Sequence, residues 1–238
     1  ILEKSPYLKK IQKKKLKKFN VKWIKNLNEI KTGNNIFVAN EFFDALPVKQ
    51  FFKINNKWVE RFIKLDKNNK KTFVNMDSSI KKVEKKIGFK ISNNQKIIEY
   101  SPLTLEYLKN ISKKISGKKG ALLIIDYGYL EDSMKDTLMA IKKHTISNIF
   151  KEFKNSDITY KLNFKLLKKI TKILKLKFQG LTTQRNFLIN LGIQQRAEII
   201  SRNLPFSKKA DVYYRLKRLV DKNQMGDLFK VMLITNKK

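Results

Sequence analysis

The chain has 238 residues, 42% of them apolar and none of them cysteine. That is enough for one large domain or two small ones, and it excludes disulfides, thiolate metal sites and a cysteine nucleophile. A formal charge of +34 points first to nucleic acid or an anionic membrane, yet only six of the 54 basic residues are arginine, at 61, 185, 196, 202, 215 and 218.

Arginine forks onto phosphate and guanine, whereas lysine is a solvated point charge. The lysines run through every segment beside abundant Asn and Ile, the pattern that coding bias from an AT-rich genome leaves. Nucleic acid is therefore kept as an alternative partner only. No apolar run approaches the eighteen or so residues of a membrane helix, and no signal-peptide pattern is present. The single histidine, His144, cannot build a metal site by itself. The composition favours a bacterial cytoplasm, with a mitochondrial matrix as the alternative.

In chain order, Ile1-Leu2-Glu3 reads as the end of a strand, so the expectation is a chain whose amino-terminal part lies upstream. Ser5 and Pro6 open a helix as N-cap and first-turn proline, with Leu8, Ile11, Leu16 and Phe19 on its apolar side. Residues 21–24 read as a short strand and 36–39 as a buried one, a fragment of a parallel sheet. The second run leads straight into Asn40, Glu41, Phe42, Phe43 and Asp44, and Pro47 closes the segment. Polar groups at the carboxyl end of such a strand sit where open α/β sheets bind ligands. A solvated acidic turn is the plainer reading of the same residues.

Residues 48–65 read as a hairpin about Asn55-Asn56, with a third strand at 73–74, and 77–99 as a polar, irregular excursion. Ser101-Pro102 opens a second helix, running to about residue 116. The run from Gly120 to Gly128 is the clearest buried strand, ending in Asp126 and Tyr127 before a glycine turn. Weaker strands follow at 138–141 and 158–162, then a helix at 163–174 and a strand at 175–181. Residues 183–203 and 206–220 read as helical, and 228–234 as a buried final strand. The order suggests one α/β domain with insertions at 48–99 and 183–220.

Five of these stretches, with a sixth at 187–193, together resemble the MidA family of S-adenosylmethionine-dependent methyltransferases, the family of the mitochondrial complex I assembly factor that methylates arginine. They are residues 2–6, 39–48, 120–128, 157–164 and 224–231, in the family's order from end to end. The resemblance implies a class I methyltransferase, a Rossmann-like, mostly parallel sheet with helices on both faces, and S-adenosyl-L-methionine as cofactor. The family's glycine-rich cofactor loop would lie upstream of Ile1, so residues 1–238 are expected to be inactive alone.

Implied roles follow residue by residue. Glu3, with Ser5 beside it, would hold the cofactor's ribose hydroxyls, because a carboxylate accepts from two vicinal hydroxyls at once. Asn40 would touch the cofactor or assist catalysis. Glu41 and Asp44 would grip a planar guanidinium, and Phe42, Phe43, Pro47, Asp126, Tyr127 and His144 would border the acceptor. The acceptor expected is an arginine of a protein such as a respiratory complex I subunit, and a homodimer is an open expectation. Two other function classes stay in play: an assembly or interaction protein that keeps the fold with weak catalysis, and a nucleic-acid methyltransferase or binder.

Overall fold

A computed structural model describes residues 1–117, 119–142, 145–150 and 155–236. Helix α1 (Pro6–Lys15) starts where the sequence signals put it. The Ser5 hydroxyl accepts the Leu8 N–H at 3.2 Å, and Pro6 occupies the first turn, where no N–H is needed. Gln12 on this helix donates from Nε2 to Glu3 Oε2 at 2.9 Å and accepts from Trp23 Nε1 at 2.8 Å. It thereby ties together the two short segments that meet in a parallel bridge between Leu2 and Ile24. The strand expected at 21–24 shrinks to that bridge.

After β1 (Ile36–Asn40) come β2 (Lys49–Ile54), β3 (Lys57–Leu65), β4 (Lys71–Asp77), α2 (Ile80–Ile87) and β5 (Ile97–Tyr100). The last four strands form their own sheet in the order β4-β3-β2-β5. Asn55 and Asn56 both take positive φ, 46° and 61°, as a two-residue hairpin turn requires. Residues 77–99 are not an irregular excursion. Ile80, Val83 and Ile87 are buried along one side of α2, and Gly88 ends it in the left-handed region at φ 95°. The paired lysines at 81–82 and 85–86 dilute the apolar period that would have revealed this helix.

Next are α3 (Pro102–Ile115), β6 (Ala121–Tyr129), β7 (Met139–Lys142), β8 (Thr145–Ser147), β9 (Asp157–Thr159), β10 (Leu162–Asn163) and α4 (Phe164–Ile173). The single strand expected at 158–162 is two, because the Tyr160 N–H leaves its ladder to donate to Asp44 O at 3.3 Å. The chain closes with β11 (Leu176–Thr183), α5 (Gln184–Asn190), α6 (Ile193–Ser201), α7 (Phe206–Val220) and β12 (Phe229–Asn236). Gly192, at φ 78°, separates α5 from α6, so residues 183–203 are two helices rather than one.

The central sheet runs β1-β6-β12-β11, with β10 pairing the far end of β6. β1 and β6 are parallel, from Ile36 opposite Ala121 to Asn40 opposite Ile125, whereas β12 runs antiparallel to both β6 and β11. Leu122, Ile124, Met232 and Ile234 are buried here against Leu108, Ile115 and Phe164. Gly128 must be glycine: a Cβ would stand 2.4 Å from the Phe164 ring and 2.5 Å from Leu162 O. The parallel register has one consequence for the site. It delivers the end of β1 and the end of β6 to the same edge, so residues 41–44 lie against Asp126.

Candidate active site at the carboxyl ends of the central strands

β1 ends at Asn40 and the chain turns at Glu41, whose φ of 47° is unusual for a residue with a side chain. The Glu41 N–H, donated to Ile125 O at 3.0 Å, anchors the turn. The residues that follow are held from below. Asp126 Oδ2 accepts the N–H groups of Phe43 and Asp44 at 3.0 and 3.3 Å, and its Oδ1 accepts Tyr127 N–H at 2.9 Å. Asp44 in turn accepts the Thr159 hydroxyl on Oδ2 at 2.8 Å, while its buried Oδ1 has no donor among the described residues.

Two buried carboxylates facing each other cannot both ionise cheaply. Burial first, and then the Asp44 charge, push Asp126 up to about 8 despite three backbone N–H groups that favour its anion. Asp44 is raised as well, by burial, against the hydrogen bonds from Thr159 and Asp126. The pair is therefore biased toward holding one proton between its two carboxyls at neutral pH.

This placement departs from the roles expected of Asp126, Asp44, Phe43 and Pro47. Asp126 is 0% exposed and Asp44 7%, so neither presents a carboxylate to an acceptor. Together they buckle the loop after β1 to β6 and β9. Phe43, also fully buried, backs the site rather than bordering an acceptor channel, and Pro47 is exposed and lines none of the cavities here. His144 lies outside the described residues.

Two open sides remain around the buckle. On one, a cavity of about 450 Å³ lies between the Leu2–Ile24 bridge and the outer edge of β1, lined by Leu2, Ile24, Ile36, Val38, Asn40 and Phe42 among others. Phe42 meets Phe43 and Tyr107 edge to face, at 5.2 and 5.0 Å between ring centres. Beside Leu2, the Glu3 carboxylate is held by Ser5 N–H at 2.8 Å and by Gln12, so each oxygen keeps a free lone pair. The Ser5 hydroxyl accepts from Leu8 and keeps its own proton to donate.

On the other side stand Glu41, Tyr127 and Arg218. Loss of water raises the proton affinity of Glu41, and the Asp44 charge raises it further; the Asn40 side chain and Arg218 pull it down. The Tyr127 hydroxyl is raised by burial and by Glu41 and Asp44, and its ring lies 4.1 Å from that of Phe229. Tyr127 also lines a smaller cavity of about 270 Å³ with Met139, Ile141, Thr159 and Tyr160. Reading by sequence gave Thr159 no role and missed Arg218. The first sits in the stretch 157–164, and the second is a guanidinium where this chain ordinarily uses lysine. No group of three or more His, Cys, Asp and Glu suited to a metal occurs among the described residues.

The model of a family of S-adenosyl-L-methionine-dependent methyltransferases matches residues 1–182. The chain is 26% identical over 216 residues to the mitochondrial protein arginine methyltransferase NDUFAF7 of Danio rerio, covering 90% of this chain and 50% of that protein. With the Homo sapiens protein of the same name it shares 25% over 214 residues, 88% of this chain and 47% of that one. The chain thus spans about half the length of the curated relatives it matches. Among solved structures, an uncharacterized protein from Burkholderia thailandensis superposes at TM-score 0.81 and 22% identity, over 99% of this chain and 65% of that one. A second from the same organism, bound to S-adenosyl-homocysteine, gives TM-score 0.79 and 21% identity, over 99% and 63%. Both share the fold.

Proposed function

The chain belongs to the family of S-adenosyl-L-methionine-dependent methyltransferases, and from that premise we propose that it forms the acceptor side, and one flank of the cofactor site, of a protein arginine methyltransferase. The observation that carries this reading is the Glu41 carboxylate. It projects from a strained turn at the carboxyl end of β1, next to Asn40 and Tyr127, with its proton affinity raised.

The residues present fit the cofactor. Glu3 has a lone pair on each oxygen for a pair of vicinal hydroxyls, and Leu2, Phe42 and Tyr107 offer an apolar wall beside the Asn40 amide. When bound, S-adenosyl-L-methionine supplies a methyl group on positively charged sulfur. The expected glycine-rich loop and its strand would lie against the outer edge of β1. Support for that comes from Ile36 and Val38, 77% and 65% exposed on an edge with no strand partner among the described residues.

Glu41 orients a guanidinium by accepting its forked N–H donors, a charge-assisted contact that also fixes the plane of the group. Placement of this kind can contribute about 7–11 kcal/mol to a displacement. As the acceptor nitrogen gains its methyl it gives up a proton, and Glu41, already raised, is the group beside it to receive that proton. The names of the curated relatives favour a protein arginine as acceptor. The family resemblance favours a respiratory-complex subunit as that protein, and the composition favours a bacterial cytoplasm, with a mitochondrial matrix as the alternative. No helix of the described residues is long and apolar enough to cross a membrane.

The test is Glu41→Gln in the full-length gene product. Transfer of labelled methyl to an arginine peptide or subunit, read by mass spectrometry, should collapse while calorimetric binding of S-adenosyl-L-methionine survives. Undiminished transfer would end the assignment.

A further inference from the structure

Basic residues are not distributed at random along this chain. Outside residues 184–220 there are 45 lysines and one arginine, Arg61; inside that span there are three lysines and five arginines, at 185, 196, 202, 215 and 218. A coding bias toward lysine acts on every segment alike, so its reversal in one span marks positions where an ammonium does not serve. Arg185 has an internal use, donating from Nη1 to Val220 O at 3.1 Å. The other four are exposed, and among the described residues none is within ion-pair distance of a carboxylate.

These four lie on α6, at its end and on α7, two helices packed as a hairpin joined by 203–205. The hairpin is thin: α7 buries no residue, and α6 buries only Ala197 and Ser201. Helical spacing puts Arg196, Ile199 and Arg202 on one outward side, since residues three apart are neighbours on a helix surface. Ile199 is 61% exposed. On α7, Phe206, Ala210, Tyr213, Tyr214 and Lys217 form an outward stripe, with Arg218 one turn beyond Tyr214. Phe206 is 88% exposed and Tyr214 71%.

We infer that the outer side of the α6–α7 hairpin is a docking surface for an acidic protein segment in which Asp or Glu side chains alternate with aliphatic or aromatic ones. Exposed guanidinium groups with no carboxylate at ion-pair distance match incoming carboxylates in a forked, two-bond geometry that lysine cannot reproduce. Tyrosine and arginine are the residue types over-represented where protein interfaces hold most of their energy. An exposed apolar patch rimmed by charge has the make-up of such an interface. Nucleic acid, whose bases also stack on aromatic rings, fits less well because its phosphates are neutralised by lysine too and the exposed aliphatic Ile199 adds nothing to such a contact. A second copy of this chain, itself at +34, would bring like charge against the same arginines. Docking at this surface is independent of methyl transfer, although Arg218 also acts electrostatically on Glu41.

Fluorescence anisotropy at about 0.15 M salt tests it, where long-range attraction is screened. The probes are a labelled peptide alternating Glu with Leu and Phe, a polyglutamate of equal charge, and a DNA oligonucleotide. The mixed peptide should bind about ten-fold more tightly than the other two, a difference of the size one good contact makes. Binding should fall at least several-fold in the charge-conserving Arg196→Lys, Arg202→Lys double variant, and again in Ile199→Ser with Tyr214→Ser. Circular dichroism confirms that both variants fold. Equal or tighter binding of polyglutamate or DNA, no binding of the mixed peptide, or a lysine variant that binds like wild type would each overturn the assignment.

Discussion

Replacing Asp44 with Asn probes the buried carboxyl pair directly. Asp126 binds a proton more tightly in the fold, at about 8, than in the unfolded chain, where the ordinary value is near 4. The stability linked to it is therefore full below about pH 4 and is lost as the pH climbs through about 8. A rise of roughly four units corresponds to about 5–6 kcal/mol as an upper bound on the cost of complete ionisation. Burial is the first cause of that rise and persists in the variant; the Asp44 charge, the second, is removed. The amide also brings a donor. Its carbonyl can keep the Thr159 hydroxyl, and its NH2 takes the position of Oδ1, the atom that now lacks a partner.

A hydrogen bond to an ionised carboxylate contributes about 1.5–3 kcal/mol, so at about pH 8.5 Asp44→Asn should be more stable by about 1–3 kcal/mol. For a chain of this size that raises the unfolding midpoint by roughly 3–10 °C. At about pH 5.5 the gain should shrink toward zero, because Asp126 of the wild type already carries its proton. Thermal unfolding followed by circular dichroism across this range measures both quantities. A variant destabilised equally at every pH, or a wild type whose midpoint is flat across the window, would refute the shared proton.

The remaining expectations concern other parts of the molecule. Glu3→Ala in the full-length product should weaken S-adenosyl-L-methionine binding at least several-fold by calorimetry, and an unchanged affinity would remove the ribose assignment. Arg61 stacks on Phe52 and Phe73 at 4.0 and 4.9 Å and bonds Asp136 and Gln50 at 2.8 and 3.1 Å. Arg61→Lys keeps only the charge, so urea unfolding should show a loss of about 1–2 kcal/mol; an unmoved midpoint would contradict the stacking argument. Gly128→Ala forces a Cβ against the Phe164 ring and Leu162 O, an overpacking expected to cost about 1–3 kcal/mol in the same assay.

What could be read from the sequence was what is encoded locally. Ser5-Pro6 and Ser101-Pro102 announce their helices because an N-cap hydroxyl and a first-turn proline act within four residues. The Asn55-Asn56 turn and the apolar run into Asp126 are equally local signals. The direction of Asp126 was not legible. β6 is apolar at neighbouring positions, so no alternation marks which side is inside, and only the fold shows that Leu122, Ile124, Asp126 and Gly128 share the buried one. The Thr159–Asp44 hydrogen bond joins residues far apart in the chain, and nothing near either residue announces the other. In α2 the signal exists, but four lysines blur it.

The inward acids and the outward acid at this edge form one device. Glu41 occupies a backbone conformation that costs a side-chain-bearing residue on the order of 1–3 kcal/mol, and such strain persists only where neighbours over-determine it. Here they do: Ile125 O takes the Glu41 N–H, and Asp126 takes those of Phe43 and Asp44. A carboxylate able to accept both N–H groups has to be buried under the loop, and burying it next to Asp44 is what raises its proton affinity. The perturbed pair is thus the cost of fixing the Glu41 turn. A strongly shifted acid beside a cleft is often read as the reacting group; in this protein the most shifted carboxyl is the buried support of the loop, and the less shifted Glu41 is the exposed one.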